Sequence, residues 1–64
     1  MIDFQKYGLK VAYQKDDRVY IHDTDENLLT VKKLYEHELI KNYYMNHPFI
    51  VPRFIVVITW EKNQ

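Results

Sequence analysis

DTDENLLTVKKLYEHELIKNYYMN, residues 23–46, is the stretch whose reading decides the fold. It opens on Asp23-Thr24-Asp25-Glu26, where either Asp23 or Thr24 can serve as N-cap by accepting from the free N–H groups of a first turn. Asp23 and Glu26 have the spacing of a capping box, and the crowded carboxylates suit the positive end of a helix dipole. Pro48 follows, lacking an N–H and biasing His47 away from helical dihedrals. The signals predict one long amphipathic helix from about residue 24 to 46.

At 100° per residue, Val31, Tyr35, Leu28, Leu39 and Tyr43 fall on one arc, with Leu34 and Met45 at its edge. That arc is the expected core face. A thinner apolar line runs through Leu29, Ile40 and Tyr44, with Lys33 and His37 among them. It either widens the core stripe or offers a second contact surface to a partner.

Upstream, Leu9 to Gln14 alternates, with Leu9, Val11 and Tyr13 on one side and Lys10, Ala12 and Gln14 on the other. Arg18 to His22 alternates again. The polar turn between them predicts a β-hairpin over about 9–22, with a three- to five-residue loop because no Asn-Gly or Asp-Gly is present. Gly8, the only glycine, marks a bend or bulge, and residues 1–8 read either as a lead-in strand or as an arm.

Downstream, Pro48 and Pro52 bracket a segment that cannot be regular for long. The strongest strand signal is about 53–60. Phe54, Val56, Ile58 and Trp60 take one side, and Ile55 and Val57 the other, beside Arg53 and Thr59. Apolar residues on both sides require cover on both faces. Glu61 to Gln64 is a polar tail.

These elements make an α+β domain, a single unit spanning 1–64 in the order β-β-α-β. The expected architecture is a three-stranded, mostly antiparallel sheet with the long helix on one face and the last strand central or beside the first. One helix covers one face. Part of the two-sided strand is then left as an apolar patch of the kind that marks interaction sites, unless Ile2 and Phe4 fold back over it.

Composition narrows the function classes. Nine basic and nine acidic residues give a formal net charge of zero. The acids cluster at Asp16, Asp17, Asp23, Asp25 and Glu26 against Arg18 alone, and this balance argues against generic nucleic-acid binding. The absence of cysteine excludes disulfides and thiolate metal sites and suits a reducing compartment. Met1-Ile2-Asp3-Phe4 lacks a basic start followed by an apolar run, and Phe54 to Ile58 is too short to span a bilayer. The expectation is a cytoplasmic protein. Self-association is expected too, since so short a chain gains from added burial.

No catalytic constellation is legible. Serine and cysteine are missing, and Thr24 and Thr30 lie in and near the helix cap with no base at a readable spacing. His37-Glu38 begins like a zinc-protease helix, but the position four after His37 is Lys41. Asp23, Asp25 and Asn27 imitate the opening of a calcium loop, which then lacks its glycine and has Leu34 where the bidentate glutamate belongs. His22, His37 and His47 are dispersed over strand, helix and loop. Glu36 and Glu38 point to different sides of a helix and make no acid–base pair. No enzyme, metal or cofactor is expected.

A non-catalytic protein-binding module remains, either homodimeric or docked on a larger partner. Its expected contact set on the sheet is Arg53, Val56, Ile58 and Trp60, because Arg and Trp dominate interface energetics. The second choice is Leu29, Ile40 and Tyr44 on the helix. The alternative function is nucleic-acid binding through the hairpin, where Lys10, Tyr13, Lys15, Arg18 and Tyr20 interleave rings with cations. In outline the element order resembles small proteins that bind RNA polymerase, such as phage inhibitors and the small epsilon subunit of Gram-positive bacteria. The local likeness lies in Lys10-Val11-Ala12-Tyr13-Gln14. That resemblance implies an inhibitor or regulator that occupies a surface of a nucleic-acid-processing enzyme.

Overall fold

The computed structural model describes residues 2–46 and 53–60. A 3-10 turn at Phe4–Tyr7 leads into β1 (Val11–Lys15) and β2 (Arg18–His22), then α1 (Asp25–Glu36), β3 (Asn42–Asn46) and β4 (Phe54–Ile58). The strands form one antiparallel sheet in the order β1-β2-β4-β3. The α+β class and the central place of β4 agree with the sequence reading. The sheet has four strands rather than three, and the order is β-β-α-β-β. Expectations for 47–52 and for the 61–64 tail lie outside the described residues.

The expected 24–46 helix divides. Thr24 is the N-cap, its Oγ1 accepting from the Asn27 N–H at 3.1 Å, and Asp25 and Glu26 occupy the first turn. The helix is only 12 residues long. At its end the Glu38 N–H donates to the Tyr35 carbonyl (3.0 Å) and the Leu39 N–H to that of Leu34 (2.9 Å), while Glu38 stands at φ 60°. This is a Schellman stop, normally occupied by glycine, held here by a glutamate. The chain then turns into β3, whose Tyr43 and Tyr44 fit a pleated surface better than a helix.

The left-handed position gives a test with a sign. Glu38→Gly is expected to raise stability by about 0.5–1 kcal/mol, because an L side chain is strained there and glycine is not. In a domain this small that is a rise of roughly 3–6 °C in Tm. Had the helix continued, glycine would lower stability by a similar amount. A thermal melt of the variant therefore separates the two structures.

The hairpin turn is tighter than the three to five residues expected. Asp16 and Asp17 alone connect Lys15 to its cross-strand partner Arg18, with Asp16 at φ 56°. Aspartate tolerates that region better than most residues, which lets a two-residue loop close without glycine. The turn is fastened from the far end of β4. The N–H of buried Thr59 donates to the Asp17 carbonyl at 2.8 Å and its hydroxyl to the same oxygen at 3.1 Å. Thr59→Val is expected to cost about 1 kcal/mol in urea unfolding, with the backbone bond preserved.

One core lies between α1 and the sheet. Val31 and Leu34 from the helix meet Val19, Ile21, Ile55 and Val57, with Ile40 added from the α1–β3 turn. The N-terminal arm closes the same core. Phe4 and Leu9 are buried in it and Ile2 packs against it, while Gly8 (φ 78°) supplies the bend between them. Phe4 and Ile2 therefore cover the helix side of the sheet, not the opposite side. Leu28 and Tyr43 lie partly buried against the core, whereas Leu39 and Tyr35 are exposed. Among the described residues, no helix is long and apolar enough to cross a membrane.

Candidate functional site

Side chains of neighbouring strands that stand opposite one another share a face. Val57 opposite Val19 and Tyr43, and Ile55 opposite Ile21 and Met45, define the helix side. The other face is built from the alternate positions. Its centre is Val56, flanked by Tyr20 on β2 and Tyr44 on β3. Ile58 lies between Arg18 and Asn42, and Phe54 between His22 and Asn46. Tyr13 and Lys15 extend it onto β1 opposite Tyr20 and Arg18.

The β1 contribution depends on an irregularity that the alternating sequence conceals. Val11 pairs with Ile21, but Tyr13 pairs with Tyr20, so the register shifts around Ala12. Such a bulge returns Val11 and Tyr13 to opposite faces, although they are two residues apart. The expectation that Leu9, Val11 and Tyr13 share one side is corrected accordingly: Leu9 is in the core and Tyr13 is on the open face.

This face is aromatic. Tyr13 and Tyr20 meet edge to face at 5.4 Å, Tyr20 and Phe54 at 5.8 Å, and His22 leans on Phe54 at 5.5 Å. The contacts hold Tyr20 and Phe54 half-buried, and Val56 beneath them is only 1% exposed. Tyr13 (56%) and Tyr44 (42%) stand out to solvent, on opposite edge strands. Among its strand positions none is acidic, although the whole chain is neutral. The described acids sit instead at Asp3 before the 3-10 turn, in the Asp16-Asp17 turn, at the start of α1 and around its end.

The sheet contact set expected from sequence is only partly brought together. Val56 and Ile58 lie side by side on the open face. Arg53 is exposed just before β4, and its carbonyl accepts from the Asp23 N–H at 3.2 Å. Trp60 lies past the strand end, beside Tyr35, Glu38 and Lys41, and donates its indole N–H to the Glu38 carbonyl at 3.0 Å. It braces the C-terminal stop of α1 while remaining 54% exposed. Tyr20 follows from the same alternation within β2, whereas Tyr13 reaches the face only through the register shift in β1.

The helix set does not survive as one surface. Leu29 is exposed on α1, but Ile40 is 1% exposed in the core and Tyr44 is on β3. The physical reason is the stop at Glu38, which ends the helical spacing that connected them. Of the hairpin set, Tyr13, Lys15, Arg18 and Tyr20 do share the open face, while Lys10 precedes β1 and borders a shallow depression under the N-terminal turn. Among the described residues, no group of three or more His, Asp or Glu is placed to hold a metal ion.

No protein-family model, no curated protein and no solved structure matches this chain. The local likeness at Lys10–Gln14 gains nothing from these comparisons.

Proposed function

We propose that the protein is a non-catalytic binding module that docks a larger protein through the open face of its sheet. The observation that carries this reading is the two-sided β4. Ile55 and Val57 are covered by α1 and the N-terminal arm, while Phe54, Val56 and Ile58 lie among tyrosines on the side that no described element covers. Rigid aromatic rings around a small apolar centre are what protein interfaces use as anchors.

A lysate capture with three forms of the chain tests it. Wild type and Leu29→Lys, altered on the outer side of α1, are expected to retain the same protein by mass spectrometry. Ile58→Lys, altered at a half-buried open-face position, is expected to lose it. Retention by Ile58→Lys with loss by Leu29→Lys would move the docking surface to the helix.

A second reading, single-stranded nucleic acid on the same face, is favoured by one observation. The face has no acidic strand position, and Lys15 and Arg18 stand together at one end. Its geometry is less apt for stacking. The two well-exposed rings sit on opposite edge strands, about 14 Å apart at ~4.8 Å per strand, and Tyr20 is already engaged on both sides by other rings. Retention of oligonucleotides that weakens steeply with salt would favour this reading over the first.

A further inference from the structure

The two edges of the sheet are treated differently. β1 carries, within the strand, devices that discourage edge pairing: a bulge around Ala12, and Lys15. β3 carries none. Asn42-Tyr43-Tyr44-Met45-Asn46 is uncharged, has no proline and pairs with β4 in unbroken register. Among the described residues nothing pairs with its outer side.

Two backbone hydrogen bonds fix the hydrogen-bonding phase of that edge. Thr59 N–H donates to the Asp17 carbonyl and Asp23 N–H to the Arg53 carbonyl, so odd-numbered residues of β4 direct their backbone groups to β2. Antiparallel alternation then directs those of Phe54, Val56 and Ile58 to β3, where they meet Asn46, Tyr44 and Asn42. Tyr43 and Met45 are left with N–H and C=O groups aimed outward. The Tyr43 N–H is occupied only by the Oδ1 of neighbouring Asn42, at 2.8 Å in an exposed contact. An incoming carbonyl can displace so local a partner.

We infer that β3 pairs with β3 of a second copy, antiparallel and centred on Tyr44. The sequence of the strand is nearly its own reverse, and a two-fold axis through Tyr44 exploits that. Tyr43 stands opposite the partner's Met45, and their outward groups make four backbone hydrogen bonds across the axis. Tyr44 faces the partner's Tyr44 as a close, non-hydrogen-bonded pair on the open face. Asn42 faces the partner's Asn46 beside them, with side-chain amides that can bond to each other. The two sheets become one, with both helices on the same side and the two open faces continuous. The pairing stands on the edge strand alone and does not depend on what docks on the face.

Sedimentation of the full chain tests this with a pair of charge variants. Wild type is expected at twice its 7.9 kDa mass. Tyr44→Lys and Tyr44→Glu each oppose like charges at the axis, and each is expected to weaken self-association roughly tenfold or more. Mixed together they are expected to restore the dimer as a heterodimer. Tyr44→Cys, the sole cysteine in its chain, is expected to cross-link on mild oxidation at the close pair, while Tyr13→Cys on the far edge is not. The cross-link reads the geometry even if a charge variant folds poorly. A wild type that stays monomeric overturns the inference. So does a dimer that survives in both charge variants, a mixture that stays monomeric, or cross-linking at residue 13 in place of 44.

Discussion

Val57→Lys is expected to leave the chain unfolded, while Val56→Lys, one residue earlier and equally inaccessible, is expected to keep it folded. Val57 is 0% exposed and Val56 1% exposed, so burial alone predicts the same result for both. Their surroundings differ. Val57 points into the core with Val19, Val31 and Leu34, where an ammonium finds no water and no partner. Burying it costs more than the roughly 5 kcal/mol on which a domain of this size stands. Val56 lies between Tyr20 and Tyr44 on the face that no described element covers. A lysine stem there can run between the rings and leave its charge in solvent, at a cost of about 1–2 kcal/mol. Far-UV circular dichroism with urea titration reads the difference. Equal damage from both substitutions would mean that both sides of β4 are enclosed.

Ile55→Ala is expected to remove about 3 kcal/mol, most of the stability, and Leu39→Ala less than about 1 kcal/mol. Ile55 is fully buried, pairs with Ile21 and Met45, and packs in the cluster that α1 covers. Leu39 follows the stop at Glu38 and is exposed. A helix running on to residue 46 would place Leu39 on the same arc as Val31 and make its truncation costly. Urea midpoints of the two variants, read at a common slope, therefore test the core and the end of α1 together.

These residues also show where the sequence was legible. The start of α1 was plain, because Thr24 and the acidic first turn are local signals that the helix uses as they stand. The two-sided character of β4 was plain too, and with it the need for cover on both faces. The end of α1 was not. No glycine or proline lies between Glu36 and His47, and Tyr35, Leu39 and Tyr43 continue the helical spacing by coincidence. The stop is made by backbone hydrogen bonds around a strained glutamate, which no residue preference announces. A helix extended along that spacing takes Tyr43 and Tyr44 onto its own surface and leaves no fourth strand.

The open face was legible in its centre and hidden at its margins. Alternation along β4 placed Val56 and Ile58 together, but it also carried Trp60 onto the same side. The strand ends at Ile58, and Trp60 turns to the carbonyl of Glu38. Tyr13 reaches the face only through the register shift at Ala12, a property of strand pairing that leaves no mark in the alternating pattern. The destination of the N-terminal arm is likewise tertiary: Phe4 and Leu9 join the helix-side core, a contact that no local pattern in residues 1–9 specifies.

A sheet with one face covered by α1 and the other covered by no described element is measured directly by methyl and ring relaxation in the presence of a soluble nitroxide. Strong broadening is expected for the rings of Tyr13 and Tyr44 and intermediate broadening for Ile58, with Ile55 and Val57 methyls protected. Protection of Ile58 and Tyr44 equal to that of Ile55, at concentrations where the chain is monomeric, would contradict it.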